Sequence, residues 1–176
     1  MHTIAKGRAM TARHTVIDSP VGPLTLSAAG DALTGLYFDA HRHPPRPESL
    51  GERVDLADDP VFAQVAGQLE EYFAGARTSF DLPLAPVGPE FHRRVWERLR
   101  AIGFGEHTTY GTIAAEFGDP HLARAVGAAV GRNPISIVVP CHRVVGSSGK
   151  LTGFAGGLDR KTWLLTLEGA ADPALF

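Results

Sequence analysis

Apolar residues change their spacing partway along the chain, and the change divides the molecule. Up to residue 38 they come in short runs. His14–Asp18, Leu24–Ala28 and Ala32–Phe38 are β-type segments, the first two separated by the turn chemistry of Ser19-Pro20-Val21-Gly22-Pro23. The stretch His41–Pro47 holds three prolines, which fix φ and remove donors, so it predicts an exposed loop. His41 and His43 in it lack a third ligand nearby and read as loop histidines rather than a metal pair. From residue 60 the spacing becomes helical. Val61, Val65, Leu69 and Tyr72 make one stripe, opened by Asp58 or Asp59 with Pro60 in the first turn and closed by Gly75. Pro83, Pro86 and Pro89 mark a linker over about 82–89.

Beyond it, Phe91, Val95, Leu99 and Ile102 predict a second amphipathic helix, and Tyr110–Phe117 a third, ended by Gly118. Asp119-Pro120 starts another at once, running to about Gly131. Two short helices joined by a tight turn are a helix-turn-helix pattern. In the second of them Ala123, Val126, Gly127 and Val130 share the face predicted to pack inward, and Arg124, Ala128 and Gly131 share an exposed one. That exposed side is one long cation among residues with almost no side chain. The pattern alone leaves open whether it meets another helix or a nucleic acid. Ile135–Val139 is an apolar, β-type run, predicted to be a short buried strand. The expected architecture is therefore α+β (with α/β character): a loose segment 1–12, a small sheet-plus-helix domain 13–87, a mostly helical domain 90–170 with a short strand leading to a cysteine, and a tail 171–176.

At 176 residues the chain is long enough to bury a core without metals or disulfides. No apolar run approaches a membrane span, and no secretory signal opens the chain, which predicts a cytoplasmic protein. The single cysteine rules out an internal disulfide and zinc sites built on several thiolates, and it fits a reducing compartment. A net charge of −2 argues against a nucleic-acid partner, but the sum hides an asymmetry. Residues 1–87 carry 7 basic and 11 acidic groups; residues 88–165 carry 10 basic and 6 acidic. Arg124, Arg132, Arg143, Lys150, Arg160 and Lys161, opposed only by Asp159, form a basic stretch in sequence that predicts a phosphate-facing stripe.

The one thiol, Cys141, follows the apolar run and adjoins His142 and Arg143. A lone cysteine is commonly an inert buried hydrophobe. A neighbouring base or cation instead favours thiolate, the nucleophilic form. Gly146, Gly149, Gly153, Gly156 and Gly157 follow, and glycine-dense loops let a flat ligand approach the backbone.

Pro140-Cys141-His142-Arg143-Val144 resembles the active-site motif of the methylated-DNA–protein-cysteine methyltransferases, the O6-alkylguanine-DNA alkyltransferases. Phe104-Gly105-Glu106 with Tyr110-Gly111, Ala123-Arg124-Ala125-Val126-Gly127, Asn133-Pro134, Ser148-Gly149-Lys150, Gly156-Gly157 and Leu167-Glu168-Gly169 resemble the family's other blocks, in order and at its spacing. The match is strong over about 90–169 and weaker over 14–87. It implies transfer of an alkyl group from O6 of guanine in DNA, with O4-alkylthymine as a second possible substrate, to Cys141. Each molecule would act once, because nothing regenerates the thiol. Among site residues it implies His142 as the base acting through a water, Glu168 orienting His142, Tyr110 as donor to the purine, and Asn133 holding the thiol region. Pro140, Val144, Ser147, Ser148, Gly149, Phe154, Ala155 and Gly156 would wall the pocket. Helix 120–131 would lie in the minor groove of double-stranded DNA, with Arg124 filling the place of a flipped base and Ala123, Ala125, Gly127, Ala128, Gly131, Arg132 and Tyr110 beside it. The resemblance implies no cofactor and a monomer. Two departures stand out: Phe154 where the family usually has Tyr, and Ala155 where a hydroxyl or Gly is common. A relative that binds alkylated DNA without transfer is the alternative, and in such relatives the nucleophilic cysteine is replaced.

Overall fold

The structure is a computed structural model, and it describes residues 11–148 and 151–170. Most of the loose lead-in (1–10), the tail 171–176, Gly149 and Lys150 lie outside the described residues.

The three predicted strands form an antiparallel meander: β1 (Ala12–Ile17), β2 (Leu24–Ala29) and β3 (Ala32–Phe38). Gly22, at φ +94°, closes the turn between β1 and β2, and Ser19 Oγ donates back to the Gly22 carbonyl. A two-residue β4 (Glu52–Arg53), with no hydrophobic pattern to announce it, runs parallel to β1 and completes the order β3-β2-β1-β4. Leu24, Leu26 and Ala28 alternate inward on β2. On β3 both Leu33 and Leu36 are buried, three residues apart, because an irregularity opposite Ser27 and Ala28 inserts one extra residue and restores the inward face.

Helix α1 (Pro60–Phe73) covers the sheet. Its N-cap is Asp59, whose carboxylate accepts from the Val61 and Phe62 amides and is also held by the buried Arg13 of β1. Gly75, at φ +77°, ends the helix as its position predicts.

In the second half, α2 (Glu90–Arg100) buries Val95, Trp96 and Leu99. Helix α3 (Tyr110–Glu116) is capped by Thr109 Oγ1, which accepts from the Thr112 amide at 3.1 Å. Gly118 and Asp119 then turn the chain through a short 3-10 segment into α4 (Ala123–Gly131). Trp96 Nε1 donates to the Ala129 carbonyl at 2.7 Å and fixes α4 on α2. Two-residue strands β5 (Thr108–Thr109) and β6 (Val144–Val145) pair in parallel, and α5 (Leu158–Leu167) folds back across the molecule.

Two sequence expectations change. The run Ile135–Val139 is buried, but it is a turn with a single bridge from Ile135 to Leu36 rather than a strand. Apart from the Ser136 amide, which donates to the Leu36 carbonyl beside that bridge, its hydrogen bonds are local: Val139 N–H to the Ile135 carbonyl and Asn133 Nδ2 to the Val139 carbonyl. Composition reports burial here and not pairing. The linker is also not a free tether, since Leu84 bridges Leu33 and the backbone of 83–85 pairs with β3. One apolar core consequently runs through both halves. Among the described residues no helix is long and apolar enough to cross a membrane.

Candidate functional site

The buried turn delivers Cys141 into a short 3-10 segment, Cys141–Arg143, in which all three residues are buried. Ile137 just before it has φ +71°, a left-handed conformation costly for a β-branched residue, on the order of 1–3 kcal/mol. Asn133 holds this strained turn from both sides. Its Oδ1 accepts from the Ile135 amide at 3.0 Å and its Nδ2 donates to the Val139 carbonyl at 2.8 Å.

Burial pushes the Cys141 thiol above its ordinary value, against the opposing influence of Asn133, the Lys161 ammonium and Ser136. The resting side chain is therefore a thiol, and a nucleophile requires a base. His142 is fully buried, and its Nε2 lies 2.9 Å from Glu168 Oε2. Glu168 is held down to about 2: hydrogen bonds from His142 and Arg143 outweigh the opposing cost of burial. The carboxylate is therefore ionised and can only accept, so Nε2 carries the proton and Nδ1 presents a lone pair. Nδ1 is buried and has no hydrogen-bond partner among the described residues. Burial lowers the His142 pKa more than Glu168 raises it, which keeps the ring neutral at neutral pH, with a lone pair free to accept.

Glu168, the C-cap of α5, is the hub of this network. Arg143 donates from Nε to Oε1 at 2.8 Å and from Nη2 to Oε2 at 2.9 Å, a bidentate pair. Tyr72 of α1 donates to Oε2 at 2.7 Å from a fully buried position. Sequence reasoning missed Tyr72, which reads only as part of a helix stripe. It also missed Lys161, fully buried with Nζ donating to the Val144 carbonyl at 2.7 Å and the Thr152 carbonyl at 3.1 Å. Burial lowers its pKa to about 8, and the neighbouring thiol opposes that. A buried lysine in a pattern otherwise read as surface charge carries no sequence signal.

The predicted basic stripe dissolves. Arg143 and Lys161 are buried in this network, and Arg160 donates to the carbonyls of Val21, Asp39 and Gly156. Lys150 lies outside the described residues. Of the five that are described, only Arg124 and Arg132 are exposed.

Beside the thiol region opens a cavity of about 400 Å3. Its walls come from α4 (Ala123, Arg124, Gly127, Val130, Gly131), from Tyr110, and from Thr152, Gly153, Phe154 and Ala155. Ala123, which packs against the core as expected, and Gly127 also line the opening; Val126, Ala129 and Val130 are buried, Val130 reaching the cavity as well. Ala125 and Ala128 are exposed on the same helix. Tyr110 lies against Gly127, its hydroxyl 3.3 Å from Thr152 Oγ1, and burial raises its pKa, so it holds its proton. Phe154 packs edge-on against Phe38 at 5.5 Å. Gly156 sits beneath the same ring, where a Cβ would approach to 2.4 Å. Pro140 and Val144 are buried, and Ser147 and Ser148 are exposed. Arg42 and His43, from the loop after β3, complete the cavity wall. His41 of that loop, expected to be exposed, is buried: it stacks on Phe38 and accepts from the Phe38 amide. Burial and the nearby His43 and Arg160 lower its pKa to about 4.

A buried His142–Glu168 pair directly after a buried cysteine, and a concave opening walled in part by a small-residue helix, mark a protein with a ligand-sized cleft in the half of the chain that holds its thiol. Comparison with known proteins gives the family. Residues 12–86 match the ribonuclease-like domain, and residues 90–170 the DNA-binding domain, of 6-O-methylguanine DNA methyltransferase. The chain is 48% identical over 162 residues to the methylated-DNA–protein-cysteine methyltransferase of Mycobacterium tuberculosis H37Rv, covering 92% of this chain and 94% of that one. It is 46% identical to the protein of that name from Methanosarcina acetivorans, covering 89% of this chain and 98% of that one. The crystal structure of the M. tuberculosis protein in complex with DNA superposes with a TM-score of 0.82 at 47% identity, over 92% of this chain and 96% of that one. The chain belongs to the 6-O-methylguanine DNA methyltransferase family.

Proposed function

We propose that this chain repairs DNA by moving an alkyl group from O6 of guanine in duplex DNA onto Cys141, once per molecule. The observation that carries the proposal is the unpartnered, buried Nδ1 of His142, with Nε2 fixed on an ionised Glu168 next to the only thiol. The thiol proton passes to Nδ1 through a water. The thiolate attacks the saturated alkyl carbon, the S–C bond forms and the O6–C bond breaks. Tyr110, protonated at neutral pH, donates to the departing guanine and is reprotonated in turn, so the thiol proton ends on the purine. Glu168 stabilises the imidazolium formed in between.

Access to the base requires it to leave the duplex. Arg124 is exposed at the cavity mouth on α4, well placed to enter the stack. The alanines and glycines of that helix suit a groove only about 6 Å wide, the minor groove. The chain acts as a monomer, since each molecule holds a complete site. At its own place in the cavity wall Phe154 presents a ring without a hydroxyl.

The test is intact mass after mixing with duplex DNA carrying O6-methylguanine, with an O4-methylthymine duplex as a second arm. A single methyl on the peptide holding Cys141, saturating at one per molecule, is expected. Continued turnover, or methylation of a Cys141→Ala variant, overturns the proposal.

A further inference from the structure

The sheet domain supplies part of the rim of the lesion cavity. Two arginines line that rim, Arg124 from α4 and Arg42 from the loop after β3; His43 sits beside Arg42 in the wall, and Arg132 lies near enough to His43 for its charge to act on it. The lining holds no Asp or Glu. Among the described residues Arg42, Arg124 and Arg132 make no ion pair, as is also true of Arg46, Arg53, Arg93, Arg94 and Arg160, whereas Arg13, Arg77, Arg98, Arg100 and Arg143 each have a carboxylate partner. The loop is also anchored. The Arg42 amide donates to the Ala155 carbonyl at 2.8 Å, tying it to the cavity wall. The residue before Arg42, His41, is buried, stacks on Phe38 and accepts from the Phe38 amide. The Arg42 guanidinium lies over Gly153, where a Cβ would stand 3.9 Å from Nη1. Desolvation and, after it, the charges of Arg132 and Arg42 oppose protonation of His43.

Placing like charges together without counter-ions costs energy unless an anion joins them. The cavity floor is apolar (Val130, Phe154, Ala155) and the rim is cationic. That arrangement fits a nucleotide with its base inside and its phosphate at the lip. We propose that Arg42, held on the sheet-domain loop, binds a backbone phosphate next to the extruded nucleotide, opposite Arg124. This rests on the alkyl-transfer reading above. It assigns a DNA contact to the half of the chain whose acidic balance argues against one.

The experiment measures duplex binding against salt for the full chain and for Arg42→Gln, Arg42→Lys and Arg77→Gln. Losing one phosphate contact lowers the slope of log K against log salt by about 0.9. Arg42→Gln should show that loss, together with roughly tenfold weaker binding at moderate salt. Arg42→Lys should keep the slope, because lysine binds phosphate as a point charge. Arg77→Gln, which removes the same charge outside the cavity, should leave slope and affinity unchanged. An unchanged slope in Arg42→Gln, or an equal loss in Arg77→Gln, overturns the assignment. Failure of the wild-type chain to take up any methyl from DNA would instead overturn the underlying function.

Discussion

Replacing Tyr72 by Phe removes one oxygen and little else. The ring is fully buried, with Phe73, Phe80 and Phe104 at centroid distances of 5.5, 5.4 and 6.2 Å, and Phe keeps that packing. What is lost is the 2.7 Å bond to Glu168 Oε2. A hydrogen bond to a charged acceptor contributes about 1.5–3 kcal/mol. Oε2 retains donors from His142 and Arg143, so no bare charge remains and the lower end applies. Tyr72→Phe should therefore cost about 1.5 kcal/mol, or roughly 3–6 °C in melting temperature for a domain of this size. The cost belongs to the ionised carboxylate, so urea unfolding should show it fully at pH 7 and only in part as Glu168 begins to protonate near pH 3. If the same energy is felt in the transition state, methyl transfer slows by up to about tenfold. A Tyr72→Phe protein as stable as the parent at pH 7, or one whose deficit does not change with pH, would refute the reasoning.

Three further outcomes follow from the same geometry. The Glu168 pKa falls from 4.5 to about 2 on folding, so its charge stabilises the fold above about pH 4.5 and that contribution fades as pH drops toward 2; at about 1.4 kcal/mol per pH unit the loss is about 3 kcal/mol, readable by urea titrations from pH 6 to 2.5. His142, whose pKa is lowered by burial, adds loss in the same direction; a flat profile over that range would contradict both. Lys161→Met removes the cation beside Cys141 and the donor to Val144 and Thr152, so thiol alkylation by iodoacetamide should shift to higher pH; an unshifted profile would deny Lys161 its influence. Gly156→Ala places a methyl into the Phe38 ring and should destabilise by about 1–3 kcal/mol, with a parent-like melting temperature as the contrary result.

Much of this molecule is legible from residue spacing, because its signals are local. Asp59, Pro60 and Gly75 delimit α1, and Gly118 with Asp119 turns α3 into α4, through bonds made within a few residues. The fold-back that brings Glu168 to His142 is implied by the family resemblance and matches the 2.9 Å contact. What spacing cannot carry is pairing between distant segments. Ile135–Val139 has the composition of a strand and the hydrogen bonds of a turn, since Asn133 satisfies its backbone. Summed charge misleads for a related reason. Arg143, Arg160 and Lys161 count as surface cations in a sum, yet their donors are spent on Glu168 and on backbone carbonyls. Arg42, from a half with acidic balance, reaches the cavity instead.

The outer edge of β3 has its own consequence. Leu33 pairs with the 83–85 segment, and Leu36 both donates to the Pro134 carbonyl and accepts from the Ser136 amide. The sheet edge is thereby closed against pairing with another chain, a common route to aggregation. The same bonds make the thiol-bearing turn the last layer of the sheet domain. A fragment beginning after the linker would leave the Pro134 carbonyl and the Ser136 amide without their partners, beside a strained Ile137. Order at the nucleophile is thus borrowed from the strands made first in the chain. A ribosome delivering this protein would finish the sheet well before the turn that needs it emerges.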